Sequence, residues 1–385
     1  MIPWAFLIPM AKALWERAQR ESPEVTNVTD ETPDQDQGLL LGQALGREVR
    51  WDPQVLPNPH FLAVGGSGAG KSQTLKALIH ELKRALPWGL ILDLHGDLHV
   101  GGVKDMPLHF RSPWGLSLFA FPKDERAGGP NGAIEVIRSR LKRAFPPMGS
   151  YQQGVLTELL QTVYQAQGIT QEPRTWREPL PTFQTLWALL TMQEAEAKGR
   201  ARESLASLHV KFRPLVVCGL FSRNRLIPLP PKGWMRVDLS GLPHELQYLA
   251  VDVLLRQLFW TMVLAGQKPT LRGAIILDEA KLILAKSKSD PLAILNRLVS
   301  EGRKFGLMVL LAAQDLRHFS SDILDNVATK LVLMHAETAI RSTTSKLLLS
   351  EGSLLLLKQP FEGYLRKGGR GWEPVTVTPY FAREQ

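Results

Sequence analysis

Short, unbroken apolar blocks recur along the chain, and between them the apolar residues switch to a helical spacing. Phe61-Leu-Ala-Val64, Gly89-Leu-Ile-Leu-Asp93, Met235-Arg-Val-Asp-Leu239, Ala274-Ile-Ile-Leu277, Leu307-Met-Val-Leu-Leu311 and Lys330-Leu-Val-Leu-Met334 have strand length and little alternation. Strands buried on both faces read this way, because neither face meets water. Behind the first block, Leu75, Leu78, Ile79 and Leu82 fall at i, i+3, i+4 and i+7, the period of a helix with one buried face. Leu246, Leu249, Ala250, Val253 and Leu254 mark a longer helix, His244 to Leu264, closed by Gly266. Strand, helix and strand at this spacing predict right-handed parallel crossovers, and hence an α/β fold with a mostly parallel sheet. A strand-like pair before Asn58 and a hairpin around Gly368-Gly-Arg-Gly371 extend it.

Two stretches break the alternation. Residues 21–37 hold six acidic side chains, no basic one and two prolines, a composition that reads as a flexible linker. Residues 123–235 contain four helical stretches separated by Pro-rich joints, which predict an all-α insertion. The expected organisation is therefore an arm and acidic linker (1–37), a first part of the core (38–122), the insertion (123–235) and a second part of the core (236–385).

Candidate chemistry sits at the ends of the apolar blocks. Gly65-Gly-Ser-Gly-Ala-Gly-Lys-Ser72 fits the pattern G-x4-G-K-S/T. Glycines let the N–H groups of Gly65, Gly66, Ser67, Gly68, Ala69 and Gly70 turn toward one phosphate, and the following helix, with Gln73 in its first turn, adds its dipole. Lys71 would reach the β- and γ-phosphates and Ser72 would hold Mg²⁺, so a bound nucleoside triphosphate is expected. Asp278 and Glu279 end a second apolar block. The first carboxylate suits Mg²⁺, and the second suits deprotonation of an attacking water. Asp93, His95 and Asp97, at the end of a third block, are placed to meet nucleotide, Mg²⁺ or a neighbouring subunit, with capping of a turn as the alternative. Gln314, just past a fourth, offers a neutral amide to the γ-phosphate.

Composition narrows the partners. In 385 residues, 46 basic against 37 acidic side chains favour a polyanionic partner such as nucleic acid. A single cysteine, Cys218, excludes an internal disulfide and a cysteine-cluster metal site, and suits a reducing cytoplasm. No unbroken apolar run reaches about 18 residues, so no spanning helix is expected. The apolar start, MIPWAFLIPM, reads as an arm packing on a neighbour or on the domain itself, with a superficial contact at the inner membrane as the alternative.

NPHFLAVGGSGAGKS, LILDLHGD, AIILDEAKLIL, SEGRKFGLMVLLAAQ and ILDNVATKLVL, in this order, resemble the HerA/FtsK superfamily of hexameric DNA-pumping ATPases, which includes those of type IV secretion and conjugation. The resemblance covers about residues 38–366 and departs from the family pattern at Pro59, Leu94, Asp97 and Ser300. It implies a RecA-like phosphate-loop core, ATP and Mg²⁺ as ligands, and a ring of subunits, hexameric in the family. It also implies Lys71 and Ser72 on nucleotide and Mg²⁺, Asp278 on Mg²⁺, Glu279 as base and Gln314 as phosphate sensor. Arg303 in Glu301-Gly-Arg-Lys-Phe-Gly306 is implied as an arginine finger acting on the next subunit. The activity implied is ATP-driven movement of double-stranded DNA, for transfer between cells or for processing with a nuclease or membrane-channel partner. A protein-moving secretion or assembly ATPase and a virus genome-packaging ATPase share the engine and stand as alternatives. Loops that grip phosphates are short and basic, which singles out Lys286, Lys288 and Lys104 as candidate DNA contacts.

Overall fold

The computed structural model describes residues 38–223, 225–287 and 293–383. The chain divides into two compact units. One runs to Ser112 and resumes at Pro228, and the other is Pro113–Ile227.

The first unit is built on strands β1 (Leu39–Ala44), β2 (Arg47–Trp51), β3 (Phe61–Val64), β4 (Trp88–Asp93), β5 (Lys104–Pro107), β6 (Trp234–Asp238), β7 (Lys268–Leu277), β8 (Phe305–Ala313), β9 (Thr329–Leu333), β10 (Glu362–Lys367) and β11 (Glu373–Val377). They form one sheet in the order β2-β1-β11-β10-β9-β3-β8-β7-β4-β6-β5. From β9 to β5 every pairing is parallel. From β9 to β2 every pairing is antiparallel. The change follows from the side chains. Every residue of β3 and β4 is buried, as parallel strands covered on both faces require. β10 and β11 bury only every second residue, leaving one face wet.

The expected crossover from β3 to β4 is present, with a difference in its span. β8 and β7 lie between the two strands, so the chain skips two places before returning. Helix Lys71–Ala85 makes the connection and buries Leu75, Leu78, Ile79 and Leu82 completely. Each such side chain contributes about 2 kcal/mol.

One helix among the described residues, His244–Ala265, is long and apolar enough to cross a membrane (mean hydropathy 1.4). Of that apolar window, 67% is buried within the fold, so its hydrophobicity is met by the core.

The second unit is helical. Gly129–Ala144, Ser150–Ala166, Phe183–Glu196 and Gly199–Cys218 correspond to the four stretches read from the sequence. Thr182 begins the third by accepting from the Thr185 N–H, a reciprocal cap that satisfies donors at a helix start. The sequence boundaries of 123–235 and the compact unit Pro113–Ile227 differ at both ends, and Trp234 already belongs to β6. Arg140, in the helix Gly129–Ala144, is buried and donates to Leu118 O at 3.4 Å.

Candidate functional site

The phosphate loop is sewn to the strands beside it. Gly65 N donates to Ala313 O at the end of β8 (3.2 Å), and Gly66 N to Met334 O just past β9 (2.7 Å). Gly70 caps the helix at φ 102°, a conformation that L side chains rarely adopt, and a Cβ there would meet the Phe361 ring at 2.5 Å. Ser67 and Gly68 are exposed, Ala69 is buried, and Ser72 and Gln73 are half-buried at the start of the helix. Lys71 Nζ donates to Gly65 O (2.8 Å) and Gly66 O (2.7 Å), so it arches back over its own loop. Burial lowers its pKa, while Glu279 and Asp97 pull the other way. That opposition brings Glu279 and Asp97 into the electrostatic field of Lys71, although 208 and 26 positions separate them in sequence.

Asp278 and Glu279 follow β7, and the turn is fixed because Ala280 N donates to Ala312 O of β8 at 3.0 Å. Asp278 is buried and accepts from Leu94 N through both oxygens (3.2 and 3.3 Å). Burial first, then the Asp93 carboxylate, raises its pKa well above the usual carboxylate range. Glu279 is likewise raised by burial, against the pull of His95, and its Oε1 is buried without a hydrogen-bond partner among the described residues. Asp93, Asp97 and Asp278 bring one carboxylate oxygen each to within 4.8 Å of one another. Oxygen donors are what a hard cation such as Mg²⁺ takes, and an orphaned buried oxygen on Glu279 suits a bound water, so these residues fit Mg²⁺ and a triphosphate.

Asp93 is fully buried, and its carboxylate also ties the turn that follows β4. Its Oδ1 accepts from His95 N (3.2 Å) and Gly96 N (2.8 Å), and its Oδ2 from Leu98 N (3.0 Å). Burial would raise its pKa, but the Leu98 N–H and Arg236 outweigh it and hold Asp93 below the usual range. His95 and Asp97 are the exposed members of that turn.

Arg236 is the residue that sequence reading missed. Its side chain is 2% exposed, and it donates to Asp93 Oδ2 (2.6 Å), Asp105 Oδ1 (2.8 Å) and Asp238 Oδ2 (3.3 Å). Through Asp93 it fixes the turn whose Leu94 N–H holds Asp278. Gln247 supports the same turn, donating from Nε2 to Leu94 O and Leu239 O (3.2 and 3.1 Å). The available signal was a lone Arg within the apolar run of β6, since a cation inside a buried strand requires an anion beside it.

The remaining candidates separate. Gln314 is exposed and follows Ala313, whose carbonyl holds Gly65, so it stands beside the loop. Arg303 lies in the tight turn Gly302–Lys304, exposed, at the opposite end of β8. β8 has nine residues, so about 30 Å of strand at ~3.3 Å per residue divides Arg303 from the loop of its own chain. Lys104 is exposed at the start of the edge strand β5. Lys286 falls in helix Lys281–Ser287, with its side chain outside the described part, and Lys288 lies outside the described residues.

No family model and no curated protein sequence matches the chain. Solved structures do. VirB4 of Thermoanaerobacter pseudethanolicus overlaps with a TM-score of 0.75 at 18% identity, covering 91% of this chain and 99% of that one. The plasmid coupling protein TrwB overlaps in its complex with the GTP analogue GDPNP (TM-score 0.60, 15% identity, 86% and 90% covered). It does so too in its complex with ADP and Mg²⁺ (TM-score 0.58, 16% identity, 83% and 84% covered). At these identities the likeness is one of fold: the chain has the RecA-like, phosphate-loop architecture that the resemblance implied, shared with VirB4 and TrwB.

Proposed function

We propose that this chain is an ATP-hydrolysing motor whose copies form a ring, six in number, and drive double-stranded DNA through it. The reading is supported most by the convergence of Lys71, after β3, with Asp278 and Glu279, after β7, at the same end of the sheet, within the fold of VirB4 and TrwB. The loop N–H groups and Lys71 hold the phosphates, Lys71 exchanging two loop carbonyls for phosphate oxygens. Ser72 and Asp278 would hold Mg²⁺, which would supply positive charge to the phosphates. Glu279 takes the proton of the attacking water. Its raised pKa makes it a stronger base than an ordinary carboxylate. Gln314 reports the γ-phosphate to β8. Arg303, too distant from its own loop, serves the site of the next copy, so hydrolysis depends on contact between subunits.

Glu279→Gln is expected to keep ATP bound and to lower turnover about 10²- to 10⁴-fold. Normal turnover in that variant rejects the assignment. Because burial raises the pKa of Glu279, turnover of the wild type falls on acidification at a pH above the ordinary carboxylate range. A pH–rate profile checks this, and a rate that stays flat into that range contradicts it. Duplex DNA is expected to stimulate ATP turnover. Brisk turnover indifferent to DNA points instead to the same engine acting on protein. Conjugative transfer at the inner membrane is the setting we favour, in line with TrwB, itself a conjugative coupling protein.

A further inference from the structure

Arg303 stands on the turn Gly302–Lys304, and the chain on both sides of that turn is fastened to one place. On the entry side Glu301 closes the helix Ile294–Glu301, and Arg297, one turn earlier, grips its carboxylate with two bonds. Arg297 Nε donates to Glu301 Oε1 (3.0 Å) and Nη2 to Oε2 (3.3 Å). The same guanidinium lies over two rings of the helix His244–Ala265, 4.7 Å from the Phe259 centroid and 5.3 Å from that of Trp260. On the exit side Phe305 opens β8 and meets Phe259 in a T-shaped contact, centroids 5.9 Å apart. Gly306 follows at φ 73°, where a Cβ would meet Thr270 O of β7 at 2.8 Å, so the exit leaves no room for a side chain.

The Arg297–Glu301 pair is ill placed to serve its own helix. An i,i+4 pair supports a helix better with the acid first, and a carboxylate in the last turn opposes the dipole. Both side chains are also 35% exposed, where an isolated ion pair adds little stability. Two parallel bonds and a ring face instead fix orientation, which a planar guanidinium provides and an ammonium does not.

We propose that Arg297, held between the Glu301 carboxylate and the rings of Phe259 and Trp260, is the positioning residue that aims Arg303 at the nucleotide of the next copy. The proposal rests on the reading of Arg303 as a finger acting in trans. An arginine on a loose exposed turn samples many directions, and that freedom is lost when its charge meets the phosphates. A turn already fixed at both ends has given up the freedom in advance, so more of the contact energy is left for the transition state. Arg297 touches no phosphate in this arrangement and acts only through the backbone that carries Arg303.

ATP turnover and ATP titration of the full chain carrying Arg297→Met, Arg303→Ala or both test this. Arg297→Met keeps the rings covered and gives up the two bonds. Its turnover is expected to fall about 10²-fold, the scale of a misplacement by about an ångström, with ATP affinity unchanged. Mixed into wild type, it inhibits beyond simple dilution. The double variant turns over no more slowly than Arg303→Ala alone, because a residue that acts through Arg303 then has nothing to act on. Arg297→Lys recovers only part of the rate. Glu301→Gln, a change at a half-exposed side chain, lowers turnover by a smaller factor, again without loss of ATP affinity.

Normal turnover in Arg297→Met overturns the proposal, as do losses that multiply in the double variant or fall equally on ATP affinity. If Arg297→Met does not fold, Glu301→Gln, alone and combined with Arg303→Ala, decides by the same outcomes. Slow turnover in Arg303→Ala beside a normal Arg297→Met leaves the finger standing and removes only its support. Normal turnover in Arg303→Ala removes the finger and this proposal together.

Discussion

The two ends of the parallel strands differ in how they keep charge. At the end carrying the phosphate loop, ionisable groups are crowded and enclosed. Lys71 is lowered by burial, Asp278 and Glu279 are raised by it, and Arg236 is sealed among three aspartates. At the far end of β8, Arg303 and Lys304 stand in water on a tight turn. The buried residue there, His60, is kept neutral, with burial pushing its pKa down to about 4. Enclosed charge responds strongly to a ligand, because low dielectric magnifies each interaction. Exposed charge on a short turn is suited to reaching another molecule. In the proposed ring, the difference lets Arg303 belong to the chemistry of the next copy while being far from the phosphate loop of its own chain.

The largest expected effect comes from removing the distant member. In the proposed ring, Arg303→Ala lowers ATP turnover about 10³- to 10⁵-fold with ATP affinity unchanged. Mixed into wild type, it inhibits beyond simple dilution, which a finger acting within its own chain would not do. Titrating the variant into wild type at fixed total protein measures this. At the loop end, Arg236→Met leaves Asp93 buried without its cation and costs about 3–5 kcal/mol of stability. Chemical denaturation reads the loss, and pairing the change with Asp93→Asn recovers much of it. Full activity and stability in Arg236→Met would show that the turn holds Asp278 without help.

The smallest effect concerns His60. Its folded pKa of about 4 lies below the ordinary 6.5, so the unfolded chain takes up the proton first. Stability from this residue is full above about pH 6.5 and is lost as pH falls toward 4. The span corresponds to about 3 kcal/mol. Denaturation curves between those limits should show a shallower fall in stability on acidification in His60→Gln than in wild type.

Much of the core was legible because its signals are local. Phe61–Ser72 carries strand, loop and helix start in twelve consecutive residues, and the apolar blocks of β4, β7 and β8 announce parallel strands without any partner being known. Strand order was hidden. Nothing in Phe61–Val64 says that β8 and β9 flank it, since pairing joins residues some 250 positions apart. Arg236 and Phe361 escaped for the same reason, each taking its meaning from contacts with residues distant in sequence. The part Asp93 plays in its own turn was not legible, because a carboxylate at a strand end looks alike whether it meets a ligand, ties a turn or does both.

β3 deserves a last consequence. It has only four residues, all buried and laddered on both sides, with His60 at its tail and Gly65 at its head. At its tail, Thr329 N donates to His60 O at 3.2 Å, and Val309 N to His60 Nδ1 at 3.0 Å. Such a short, clamped rod cannot bend or stretch. In the proposed ring, a displacement of the loop is passed along β3 to the end of β8 that carries Arg303.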